Sequence, residues 1–317
     1  MPQLPPSPTS PCIEMIPEPR TIPDGLASLV DRFEPPPLPP GNAPVFLFAS
    51  AWRSGSTLVQ RLLVSGGELL MWGEPYDHST LVRRMAESLI PFSDKWPPVN
   101  YIVDPEDPPT AERWIANAYP SPADLLAAHR AFFDRLFSEP AAAAGFSRWG
   151  FKGVRLGGEH ALYLKRISPD ARFIFLHRNP YDAFLSYRML HEIRTHSYWW
   201  YHRWPDEQVA TAEHFGPIWS RLTESFIRWA PEVGGTVVAY EDLTRGSKFS
   251  AIADAADVPI DESILESKVG GTRQQRGEWD RASHELTATE MASLRETAGR
   301  LGRALGYVGP STGGIGS

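Results

Sequence analysis

Residues Val45 to Leu63, VFLFASAWRSGSTLVQRLL, constrain the fold more than any other stretch of the chain. Val45-Phe-Leu-Phe48 is a run of apolar, β-favouring residues long enough for one buried strand. It breaks into Arg53-Ser-Gly-Ser-Thr57, small polar residues around one Gly, and Leu58, Leu62 and Leu63 then recur at helical spacing. A strand, a small-residue turn and a helix in that order aim backbone N–H groups and the positive end of a helix dipole at one spot, which suits a phosphate. A Ser/Gly turn that binds nothing is the plain alternative.

The rest of the chain repeats the alternation. Further strands are expected at Glu68–Trp72, Arg148–Val154, Ala171–His177 and Thr236–Tyr240. Helices are expected at Asp24–Phe33, from Ser79 onward, from a Ser121 cap to about Phe137, and at Glu159–Ile167 and Tyr181–His191. Three more are expected at Pro217–Trp229, Phe249–Ala256 and Thr287–Leu305, the last with Thr287 and Glu290 as a capping box. Strands alternating with helices predict an α/β fold, a central, mainly parallel sheet with helices on both faces. Residues 1–42 read as a Pro-rich tail, 43–309 as the body and 310–317 as a flexible tail.

Composition narrows the function. With 42% hydrophobic and 22% charged residues among 317, the chain reads as a soluble globular enzyme. A net charge of −7 disfavours a nucleic-acid polymer as partner. The single Cys12 precludes an intramolecular disulfide and a multi-cysteine metal site. No apolar run approaches the ~18 residues of a membrane span, and MPQLPPSPTSP has no charged-then-apolar leader pattern. The expectation is a cytoplasmic protein; its oligomeric state is not readable.

The turn departs from the ATP-binding pattern G-x-x-x-x-G-K-[ST]. Ser50 replaces the first Gly and Ser56 the Lys, while Gly55 and Thr57 fit and the cation comes early, at Arg53. A second anchor is FIFLHRNPYDAFLSYRM (173–189), where Arg178 leaves a strand end and Ser186 follows eight residues later on a helix. An Arg fork with a hydroxyl is a suitable phosphate clamp. Together these segments resemble the 5′-phosphosulfate loop and the 3′-phosphate segment of the sulfotransferases, which use 3′-phosphoadenosine-5′-phosphosulfate (PAPS) and release PAP. Two weaker matches are Tyr240-Glu-Asp-Leu243, similar to a Tyr near the nucleotide, and TRQQRGEWDR (272–281), where Arg276 and Gly277 resemble the loop closing over the 3′-phosphate. Lys268 or Arg273 are alternatives for that contact. The resemblance implies a three-layer P-loop NTPase-like fold, a metal-independent reaction, and cofactor contacts from Arg53, Ser54, Gly55, Ser56, Thr57, Arg178, Ser186, Tyr240, Arg276 and Gly277.

Sulfuryl transfer needs a base for the acceptor proton, cations at the moving group and donors for the leaving phosphate. Cytosolic sulfotransferases carry their base in a Lys-Thr-His order, but the similar segment here is Lys152-Gly153-Val154. The resemblance instead points to Glu74, in Trp72-Gly-Glu-Pro75, which is placed like the catalytic Glu of the protein-tyrosine and carbohydrate types. Lys152 resembles the Lys that contacts the sulfonate, and Arg53 completes the catalytic set. His160 and His177 are the reserve bases. The expected acceptor is a hydroxyl of a sugar, glycolipid or secondary metabolite. An ATP-dependent small-molecule kinase and a non-catalytic PAP-binding protein are the alternatives.

Overall fold

The computed structural model describes residues 20–76, 79–108, 110, 117–193, 209–244, 249–265 and 285–311. Five strands, β1 (Val45–Ala49), β2 (Leu69–Trp72), β3 (Arg148–Gly153), β4 (Arg172–His177) and β5 (Thr236–Ala239), form one sheet in the order β2-β3-β1-β4-β5. Every pairing among them is parallel. The helices are α1 (Ile22–Phe33), α2 (Ser56–Val64), α3 (Leu81–Glu87), α4 (Leu125–Phe133), α5 (Glu139–Ala143) and α6 (Gly158–Ile167). They continue with α7 (Pro180–Ile193), α8 (Ala212–Val233), α9 (Tyr240–Thr244), α10 (Phe249–Ala256), α11 (Ala288–Thr297) and α12 (Gly299–Ala304).

β1 is central and buried along its whole length, which is why it reads as an unbroken apolar run and not as an alternation. Phe46 and Phe48 face a cluster of rings: Trp149, Phe151, Phe173 and Phe175 from the sheet, with Phe226 of α8 across it. Phe137, between α4 and α5, stacks on Trp149 on the same side. Helices α2 and α10 pack on the sheet and on each other. The three-layer P-loop NTPase-like architecture expected from the sequence is the one observed. No helix among the described residues is long and apolar enough to cross a membrane.

Several helix boundaries differ from the sequence reading, each for a local reason. The helix expected to end near Phe137 runs on to Ala143, because a π turn at Asp134–Ser138 widens the spiral just before Pro140, whose missing N–H would otherwise break the ladder. α8 begins at Ala212 and not at Pro217, since the Thr211 hydroxyl caps it by accepting from His214 N–H, and Phe215 and Gly216 are already buried. The expected Thr287–Leu305 helix has its capping box but is broken at Ala298, where φ −118° leaves helical geometry ahead of Gly299. Tyr240, read as the end of β5, opens α9.

α1 docks on the body. Arg32 donates to the carbonyls of Trp96 and Pro97, and Ile22 and Leu29 are buried. A Cβ at Gly25 would fall 2.0 Å from the Leu89 carbonyl oxygen. Ala favours a helix over Gly by about 1 kcal/mol, but a backbone carbonyl cannot step aside, and overpacking costs about 1–3 kcal/mol. Gly25→Ala is therefore expected to lower stability, read as a lower urea midpoint at unchanged slope.

Candidate active site

Parallel strands in register bring five distant segments to one edge of the sheet, the carboxyl ends where open α/β sheets hold ligands. Ala49 pairs with Leu176, Phe48 with Gly153, Trp72 with Phe151 and His177 with Ala239. The residues that follow are the 50–57 loop, Val154–Leu156, Gly73–Pro75, Arg178 and Tyr240. The Ser50 N–H donates to the Leu176 carbonyl at 2.9 Å, extending the ladder one step into the loop.

The loop is shaped by two left-handed residues, Arg53 at φ 67° and Gly55 at φ 89°. Ser54, buried, donates its hydroxyl to the Ala51 carbonyl at 2.8 Å. Gly55 is the N-cap of α2 and provides no side-chain oxygen to it, so the N–H groups of Ser56 and Thr57 have no intrahelical acceptor and no cap. A non-Gly residue at positive φ is strained, and here the strain sits on the loop's cation.

The second anchor meets the first directly. Arg178, only 8% exposed, donates to the Arg53 carbonyl at 2.8 Å across 125 residues of sequence. Arg53 Nε donates to Ser186 Oγ at 3.1 Å. The Arg178 guanidinium lies 4.6 Å over the Tyr240 ring, and Trp219 Nε1 donates to the Arg178 carbonyl at 3.0 Å. Tyr240 in turn covers Gly55, where a Cβ would come within 2.1 Å of the ring. Arg53, Ser54, Gly55, Ser56, Thr57, Arg178, Ser186 and Tyr240 are thus one constellation. Arg276 and Gly277, with Lys268 and Arg273, lie outside the described residues.

The constellation suits an anion on grounds of its own. Arg178 Nε is buried without a hydrogen-bond partner among the described residues, and such a donor costs about 1–3 kcal/mol if left unsatisfied. An uncapped helix start, a buried guanidinium edge and Arg53 together fit a group with more than one phosphate.

Beside it, the Lys152 N–H donates to the Gly73 carbonyl at 3.1 Å, one step past the Trp72–Phe151 pair. That register brings Glu74 alongside, and Lys152 Nζ meets Glu74 Oε1 at 3.1 Å with the two side chains only 12% and 24% exposed. Both line a cleft of about 380 Å³ with Thr80, Leu81, Phe151, Val154 and Arg155. Sequence reasoning passed over Trp52 and Arg155: the Arg155 guanidinium lies 4.6 Å over the Trp52 ring. A Trp inside a short polar loop was the available signal.

Neither reserve histidine is among the described residues lining that cleft. His160 Nδ1 accepts from the Gly157 N–H at 3.1 Å and caps α6. His177 is buried, its Nδ1 3.1 Å from the Tyr307 hydroxyl, which donates to Glu241 Oε2 at 2.8 Å. Glu241 Oε1 accepts from the Asn179 N–H, tying the C-terminal segment to the residue beside Arg178. Burial pushes the His177 imidazole down from 6.5 to about 4, only partly opposed by the charge of Asp242.

Residues 44–262 match the sulfotransferase family model, and the chain belongs to the sulfotransferase family. Among solved structures, a sulfotransferase from Alicyclobacillus acidocaldarius is 14% identical, covering 80% of this chain and 94% of that one at a TM-score of 0.37. The sulfotransferase domain of the Synechococcus PCC 7002 olefin synthase is 19% identical, covering 88% and 100% at 0.45. The sulfotransferase domain from the curacin biosynthetic pathway is 14% identical, covering 86% and 100% at 0.43. No curated protein matches the chain significantly.

Two outcomes follow from this geometry. Gly55→Ala should cost about 1–2 kcal/mol for the left-handed backbone and more for displacing Tyr240. In a Tyr240→Ala background the second part should vanish, so a double-mutant cycle by chemical unfolding should show coupling between the two sites. For His177, the unfolded chain binds a proton below 6.5 and the folded chain only below about 4. Between those values the unfolded state holds more protons, so stability falls as pH drops through that window. His177→Gln should flatten that part of a pH series of urea midpoints.

Proposed function

We propose that the chain transfers a sulfuryl group from PAPS to a hydroxyl of a small-molecule or glycan acceptor by in-line displacement. The observation that carries this is the joining of the loop to the second anchor, Arg178 to the Arg53 carbonyl and Arg53 to Ser186, with the Glu74–Lys152 pair beside it. When bound, PAPS supplies a sulfuryl group whose leaving group is a phosphate.

The chain's own residues divide the remaining work. The N–H groups at the start of α2 and the side chains of Arg53 and Thr57 hold the 5′-phosphosulfate. Arg178 and Ser186 hold the 3′-phosphate; the Ser186 oxygen accepts from Arg53 and its O–H remains to donate. Tyr240 flanks the nucleotide, and Arg276 and Gly277 are assigned to cover the 3′-phosphate. Lys152 has three donors, so it can keep Glu74 in place with one and meet sulfonate oxygens with another. Glu74, engaged at Oε1, has its second oxygen for the acceptor proton. Beyond the matched region, the Thr297 carbonyl of α11 accepts from Ser220 Oγ of α8 at 3.0 Å, which supports 43–309 as one body.

PAP should bind far better than AMP, since Arg178 and Ser186 contact the 3′-phosphate. A charge-assisted contact is worth about 1.5–3 kcal/mol, so Arg178→Ala should weaken PAP about tenfold or more by calorimetry; equal affinity for PAP and AMP would sink the cofactor assignment. Glu74→Gln keeps an acceptor for Lys152 but no base. Turnover with PAPS should fall by about 10²–10⁴-fold while PAP affinity stays nearly unchanged. Normal turnover would move the base elsewhere, and collapse of PAP binding would make Glu74 a structural carboxylate.

A further inference from the structure

The backbone on both sides of Arg178 is held by residues from the far end of the chain. Tyr307, which follows α12 and is 9% exposed, places its hydroxyl 3.1 Å from His177 Nδ1 and donates it to Glu241 Oε2 at 2.8 Å. Glu241 Oε1 accepts from the Asn179 N–H at 2.9 Å. The two residues flanking Arg178 are therefore joined through one tyrosine and one carboxylate, while Trp219 Nε1 holds the Arg178 carbonyl at 3.0 Å. The Trp219 and Tyr307 rings meet edge to face, 6.5 Å between centroids. Glu241 directly follows Tyr240, the ring on which the Arg178 guanidinium rests.

Further contacts bind the same turn. Asn179 caps α7, its Oδ1 accepting from the Tyr181 N–H at 3.0 Å and its Nδ2 donating to the Gly309 carbonyl at 2.8 Å. Asp182, in the first turn of α7, accepts from the Ser311 N–H at 3.2 Å and from the Ser311 hydroxyl at 2.6 Å. Ser186 stands one turn further along that helix. Residues 307–311 thus hold the turn between β4 and α7 through Tyr307, Gly309 and Ser311. A turn whose polar groups are paired this densely has little freedom, and it carries Arg178 at one end and Ser186 beyond the other. Charge-assisted hydrogen bonds weaken steeply once their geometry drifts, so a phosphate clamp needs such support.

We propose that residues 307–311, with Glu241 as their link to Asn179, position the 3′-phosphate clamp and set the chain's preference for a nucleotide that carries a 3′-phosphate over one that lacks it. This rests on the PAPS reading above. The segment acts through Arg178 and Ser186 and makes no contact with the phosphate itself. Loosening it therefore costs PAP more than AMP.

The test measures PAP and AMP binding to the full chain by calorimetry. Tyr307→Phe keeps the ring and removes the hydroxyl between His177 and Glu241. PAP affinity should fall about three- to tenfold, a part of what a charge-assisted contact is worth, while AMP affinity changes much less. Should Tyr307→Phe fail to fold, Ser311→Ala removes one contact at the surface end of the segment, and PAP alone should weaken about twofold, the low end for one hydrogen bond. Gly25→Ala is the control for stability alone: it should lower the urea midpoint and keep the wild-type ratio of PAP to AMP affinity. Equal losses of PAP and AMP, a wild-type ratio in both variants, or a ratio that moves as far in Gly25→Ala would overturn the proposal. Those results beside a wild-type chain that favours PAP would remove only the role of residues 307–311. A wild-type chain that binds PAP no better than AMP would remove the PAPS reading itself.

Discussion

The hydrogen bond from the Arg178 guanidinium to the Arg53 carbonyl, 2.8 Å long, joins the end of β4 to the loop after β1, and the rest of the site depends on it. It holds a residue at positive φ in place, and that residue's side chain reaches Ser186 on α7. The same guanidinium rests on Tyr240, which closes over Gly55. Strain in the loop is tolerated because three neighbouring elements over-determine its shape. The arrangement combines an uncapped helix start with a buried guanidinium nitrogen, groups that suit an anion although the chain's net charge is −7.

Sheet order accounts for the division of labour. β1 lies between β3 and β4, so its loop is flanked on one side by the Glu74–Lys152 pair and on the other by Arg178. In the proposed reaction the nucleotide contacts belong to the β4–β5 side and the acceptor cleft to the β2–β3 side. Lys152 sits at the junction, with Glu74 as its partner. An ion pair this shielded from solvent is costly to break by removing one partner, which keeps both side chains in register.

The π turn before Pro140 and the capped start of α8 ahead of Pro217 show how tertiary packing overrides local signals. In each case the helix gains enough buried surface, Phe137 and Ala141 in one and Phe215 and Ile218 in the other, to absorb a missing N–H. His177 illustrates the same point for chemistry. Its sequence position after a strand end offered it as a base, but Tyr307, more than a hundred residues on, takes up its Nδ1 in a buried network.

Legible in short windows of residues are the strand–turn–helix of 45–63, the Arg178-to-Ser186 spacing, the alternation that dictates a parallel α/β sheet, and the Thr287–Glu290 capping box. Each depends on contacts within a few residues, where propensity and spacing act directly. The tertiary structure alone decided which segments meet. The step that puts Glu74 against Lys152 follows from cross-strand hydrogen bonds between β2 and β3, and a shift of one residue would turn those side chains to opposite faces. The stacking of Arg155 on Trp52 likewise requires β1 and β3 to be neighbours, and strand order is set by packing across the whole sheet, which no local window of residues contains.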